Sequence, residues 1–267
     1  MITSLSIFRQ IAFRLVFCFA FSFLLVTVKG QYFGQYYTVN DEQGYVHVRA
    51  TPSAGGKIIC VLENEMIVHE TWNEDTTRKN WMFVEFYIPK TEAKNVKSKA
   101  ETRPPAVMNK WSLFRGWVYR GRLMNIEMQN ELKKKWVGDD FILYNDSINI
   151  KFDYKQFEKT KHNIQMKGDY PIVKIDGHYL AGTDGGIPRY EMQNFSMEIS
   201  HHKIAIPRSA FHDLYEPNFN RFTNGYIDKN GTMYITMYNS DGAGSYEVIF
   251  IFKNNKYIGR YVFDGEC

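Results

Sequence analysis

"MYNSDGAGSYEVIF", Met237–Phe250, places an aspartate and two glycines between runs of aromatic and β-branched residues. Two folds compete over this stretch. A glycine-rich phosphate cradle must lead into a helix, whose first N–H groups hold the anion. Here Ser245-Tyr246-Glu247-Val248-Ile249 leads instead into a run that favours strand. Asp241-Gly242 is therefore read as a chain reversal between two antiparallel strands. Asp228-Lys229-Asn230-Gly231 starts like a calcium loop, but Met237 stands where the bidentate glutamate is required, so it too reads as a turn.

Working outward, the same grammar covers most of the chain. "DDFILYNDSINIKFDY" (139–154) reads as a hairpin turning at Asn145-Asp146, and Asp176-Gly177, Asp184-Gly185-Gly186, Asn230-Gly231 and Asn254-Asn255 punctuate further strands. "SAFHDLYEPNF" is the one predicted short helix: Ser209 caps it, Phe211, Leu214 and Tyr215 share a face, and Pro217 ends it. Residues 126–135 are polar and charged and read as a linker, dividing the chain into 31–125 and 136–267.

Toward the N-terminus, Tyr45-Val46-His47-Val48-Arg49 alternates, with Tyr45 and His47 on one face and Val46 and Val48 on the other. "YVHVRATPSAGGKIICVLENEMIVHE" (45–70), "NWMFVEF" (80–86) and "RGWVYRGRL" (115–123) together resemble the bacterial SH3-like domain. Val46, Val48, Arg49, Pro52, Ser53, Trp81, Gly116, Trp117 and Val118 carry the resemblance, which covers roughly residues 36–124. It implies a small β-barrel that binds cell-wall peptides or docks proteins. The fold class expected is thus mainly β: an SH3-like barrel followed by an antiparallel β-rich domain with a short helix. A departure is the insertion at 88–112, whose stretch from Ile88 to Trp111 holds six basic and two acidic residues and the helix-breaking pair Pro104-Pro105; it is read as a mobile loop. "GTDGGIPRYE" and "SDGAGSYEVIFIF" resemble uncharacterised C-terminal modules of exported bacterial proteins, a likeness that implies no activity.

The first thirty residues form a class of their own. Arg9 and Arg14 precede the charge-free Leu15–Val28, too short for a permanent span and suited to a secretory signal cut before Gln31; retention as an anchor is the alternative. Three of the 33 basic residues and none of the 29 acidic ones lie there, so the remainder carries about +1 and has no global pull toward nucleic acid. An exported chain, periplasmic or extracellular, is expected, with no stable span after cleavage. Cys60 and Cys267 are the cysteines left, and both are expected as free thiols.

Catalytic patterns are absent. There is no G-x-S-x-G and no H-E-x-x-H, and Cys60 lies in an apolar run. His178, His201, His202 and His212 could converge; Asp176, Asp184 and Asp241 could supply paired carboxylates, but each precedes glycine and is explained by a turn. No cofactor or metal is expected. The reading is a non-catalytic binding protein for a cell-wall peptide or envelope protein. The alternatives are an immunity or inhibitor protein against an envelope-directed toxin, and a wall hydrolase. Arg49 is the candidate anchor for a ligand carboxylate, with Trp72 and Tyr119 as exposed aromatic contacts.

Overall fold

Seven short strands open the computed structural model: β1 (Tyr36–Val39), β2 (Tyr45–Arg49), β3 (Ile58–Glu63), β4 (Ile67–Glu70), β5 (Trp81–Pro89), β6 (Trp111–Tyr119) and β7 (Leu123–Asn125). The structure describes residues 35–71, 79–92, 96–97, 111–183, 185–219, 222–240 and 244–264. Residues 1–34, where the secretory signal is expected, Trp72, Asp184, Asp241, Cys267 and most of the basic insertion lie outside these residues.

The seven strands form one antiparallel sheet in the order β3-β2-β6-β5-β4-β1-β7, curled into a half-barrel. Its concave side packs Val46, Val48, Leu62, Val84, Phe86 and Val118 into one apolar cluster. Curling brings β2 across β6 at the pairing Arg49–Trp117, and there the backbone must come close. Gly116 makes this possible: a Cβ at that position would collide with Val48 Cγ1. A 3-10 turn at Arg120–Arg122 then returns the chain so that β7 pairs with β1.

Several of these strands are apolar on both faces. Tyr36 and Tyr37, Ile67 and Val68, Phe86 and Tyr87, and Leu113 and Phe114 are all buried although neighbours point to opposite sides. The second member of the first two pairs enters the half-barrel core; Tyr36, Ile67, Tyr87 and Leu113 enter a larger core made with the rest of the chain. A sheet covered on both sides loses the apolar–polar alternation of a surface sheet.

The remaining strands are β8 (Asn130–Glu131), β9 (Lys133–Val137), β10 (Asp140–Tyr144), β11 (Ile148–Gln156), β12 (Ile164–Met166), β13 (Ile172–Ile175), β14 (His178–Tyr179), β15 (Tyr190–Ile199), β16 (His202–Ile204), β17 (Thr223–Ile227), β18 (Met233–Asn239), β19 (Tyr246–Lys253) and β20 (Lys256–Asp264). Two five-stranded antiparallel sheets, β16-β15-β11-β10-β9 and β20-β19-β18-β17-β8, share the larger core. Phe195 of β15 meets Phe250 of β19 edge to face at 4.9 Å, joining the two sheets. A small sheet, β12-β13-β14, packs on Tyr215 through Ile172 and Ile175.

Residues 126–135 do more than connect. Ile126 and Leu132 are buried in the larger core, and Asn130–Glu131 pairs with β17. Two apolar side chains in an otherwise polar run suffice to fix the segment. The predicted helix at 209–217 is instead a 3-10 turn at Arg208–Ala210, after which Phe211 turns out of helical space at φ −146°. Phe211, Leu214 and Tyr215 are buried as the helical spacing required, but Tyr215 is bridged to Glu191 like a strand residue. Among the described residues no helix is long and apolar enough to cross a membrane.

The turns follow the residue chemistry. Asp176-Gly177, at φ +52° and +81°, closes β13 to β14, and Asn254-Asn255, at +51° and +56°, closes β19 to β20. Asn145 Oδ1 accepts from the N–H groups of Ser147 and Ile148, which builds the β10–β11 turn.

Candidate functional site

The outer face of β5 and β6 changes character along its length. Register pairs Tyr87 with Leu113, Glu85 with Arg115, Phe83 with Trp117 and Trp81 with Tyr119. At the first pair this face is covered by Phe263 of β20, 4.9 Å from Tyr87. At the last pair it is open, and a cleft of about 260 Å³ lies among Trp81, Tyr119, Arg49, Arg122 and His47.

Alternation puts Val118 in the core and leaves Tyr119 41% exposed. The Tyr119 ring meets Trp81 edge-on at 5.7 Å, so the two rings form one wall. Arg49 reaches the cleft from β2 and its Nη1 donates to Gly56 O at 2.6 Å, which holds the guanidinium against the 50–57 loop. A guanidinium carries five donors, so this bond orients the fork without exhausting it. Arg122, from the 3-10 turn, has its Nε 3.4 Å from Asp41 Oδ2. The described lining contains two guanidiniums and no carboxylate, thiol or serine. Its chemistry is that of capture: an aromatic wall and a positive rim suited to an anionic group.

Of the residues singled out from sequence, Arg49 and Tyr119 come together here, and Trp72 lies outside the described residues. Trp81 was missing from that set. Its signal was the alternation in "WMFVEF": with Met82, Val84 and Phe86 inside, Trp81 must face out.

The other candidates are placed as follows. His178 and His212 do meet, Nε2 to Nε2 at 3.2 Å, on the surface. His201 sits in the β15–β16 turn at φ +65°, and His202 Nδ1 bonds the carbonyl of Ser200. Asp176 is tied to His162 at 2.7 Å, and the same ring reaches Glu191 at 3.3 Å, so this imidazole bridges two carboxylates. No group of three or more potential metal ligands occurs among the described residues.

Cys60 is a half-buried free thiol, pushed up to about 12 by burial. At pH 8 its alkylation by iodoacetamide should run about a thousandfold slower than that of an unstructured cysteine, since only the thiolate reacts. Equal rates in folded and urea-unfolded protein would contradict that environment.

No protein-family model, curated protein or solved structure matches this chain.

Proposed function

We propose that the chain is an exported, non-catalytic binding protein whose N-terminal sheet is an SH3-like module for a cell-wall component or an envelope protein. The observation that carries this reading is the open aromatic cleft at Trp81 and Tyr119 with Arg49 and Arg122 on its rim. The curl of β1–β7 around one apolar core, with β7 returning to β1, supports the SH3-like assignment. A peptide with a free carboxylate fits the cleft: its side chain lies on the rings and its carboxylate meets the guanidinium fork.

Co-sedimentation with purified peptidoglycan sacculi tests the proposal. Arg49→Gln removes the charge and keeps a donor for Gly56 O, and Tyr119→Ala removes an exposed ring. The double variant should bind about tenfold more weakly, with thermal unfolding nearly unchanged because neither change opens the core. Binding should also weaken as salt rises from 50 to 500 mM. Undiminished binding by the double variant, or no binding by the unmodified protein, overturns the peptide reading.

A further inference from the structure

A second cleft, of about 330 Å³, opens where the core between β11 and the 216–219 segment reaches the surface. Trp136, Tyr154 and Tyr190 remain 46%, 42% and 37% exposed, although each ring packs against another. Tyr154 meets Tyr190 edge-on at 5.1 Å and leans on Phe219 at 5.9 Å; Trp136 rests on Phe141 at 5.3 Å. Three rings held by the core and left partly bare are an arrangement that burial alone does not explain.

The polar side of this cleft is built as firmly. Glu216 is 8% exposed, yet its carboxylate accepts from the backbone N–H of Arg189 and pairs with the Arg189 guanidinium, Nη2 to Oε2 at 3.1 Å. Backbone bonds from Glu216 N to Tyr190 O and from Ser240 N to Glu216 O lock the wall in place. Glu216 and Ser240 both hold positive φ, +49° and +65°, without being glycine.

We propose that this cleft is a saccharide-binding site for one or two rings of a neutral glycan. Glu216 and Arg189 cancel in charge, so the site does not select a charged ligand. The exposed parts of Trp136, Tyr154 and Tyr190 offer aromatic surface to the polarised C–H groups of a pyranose. Glu216 supplies acceptors, Arg189 supplies donors and Asn218 supplies both, matching hydroxyls that each donate and accept. A proline-rich peptide, the other common occupant of aromatic grooves, brings carbonyl acceptors and few donors, and so answers only the donor half of this set. The volume lies at the small end of the usual range for ligand sites, about 300–1,000 Å³, in keeping with one or two rings. The site is independent of the Arg49–Tyr119 cleft and of the ligand proposed there.

Calorimetric titration with chitotetraose, cellotetraose and maltotetraose tests the assignment. At least one should bind with Kd below about 1 mM, unchanged between 50 and 500 mM salt because no ion pair forms. Tyr154→Ala/Tyr190→Ala should weaken that binding at least about tenfold, and Trp136→Leu should do the same. Arg49→Gln/Tyr119→Ala should leave it intact, which separates failure here from failure of the first cleft. Circular dichroism melts confirm that each variant is folded. No heat with any tetrasaccharide, binding undiminished in both wall variants, or binding of a proline-rich decapeptide in their place overturns the proposal.

Discussion

Asp213→Ala should cost about 3–5 kcal/mol, among the largest losses any single side chain of this protein can cause. Asp213 is 3% exposed, and its two oxygens take a bidentate pair from Arg260 at 2.7 and 2.5 Å. Arg260 Nη1 also donates to Ala210 O at 2.7 Å, so this one guanidinium of β20 pins the 208–213 turn. Removing the carboxylate leaves a nearly buried cation without its counter-charge, and that residue of unpaired charge is where the cost comes from. Replacing both partners, Asp213→Leu with Arg260→Met, should recover most of the loss, short of the bond to Ala210. Burial raises the Asp213 carboxyl, but Arg260 outweighs it and holds the group below its ordinary value. The pair's contribution is therefore complete above the unfolded carboxylate value of about 3.9 and is lost as pH falls through the lower folded value. Urea unfolding at pH 7 and across pH 2–5 measures both effects; a loss under about 1 kcal/mol for the single variant would mean the pair is solvated.

The same segment shows where sequence reading stops. Phe211, Leu214 and Tyr215 have the spacing of a helix face, and the three are buried, but a turn held by Arg260 from fifty residues away buries them equally well. Strands and turns were legible because alternation and positive-φ residues are local: Val46 and Val48 inside, Asp176-Gly177 and Asn254-Asn255 at reversals. Double-faced burial of β1 and β4 was not, since YYTV and IVHE contain no mark of what lies on the second side. In the first cleft, Arg49 and Tyr119 could be picked out from strand alternation. The second cleft draws Trp136, Tyr154, Tyr190 and Glu216 from separate stretches of chain, and only folding brings them together.

Phe263→Ala should also cost about 3–5 kcal/mol, and should do so in a way that reports on how the two halves depend on each other. Phe263 lies on β20 and is fully buried, with its ring 5.0 Å from Tyr36, 4.9 Å from Tyr87 and 5.7 Å from His69. All three of those partners belong to the first sheet. Beneath them Glu85 bonds His69 Nδ1 at 3.3 Å and Arg115 Nη2 at 3.1 Å; burial raises its carboxyl, and these partners outweigh that and hold it low. A cavity at Phe263 thus loosens both the last strand and the roof over a buried charge. If the halves fold as one unit, Phe263→Ala and the half-barrel variant Phe86→Ala each shift a single calorimetric transition. Two transitions, each sensitive to only one of these variants, would show independent domains and contradict the shared core. On the single-unit expectation, residues 35–125 made alone would expose Tyr36, Ile67, Tyr87 and Leu113, four large side chains that the whole chain buries. That apolar face should drive the fragment to aggregate. The Arg49–Tyr119 cleft would then be displayed only by the complete fold, because the strand that covers one end of its face also leaves the other end open.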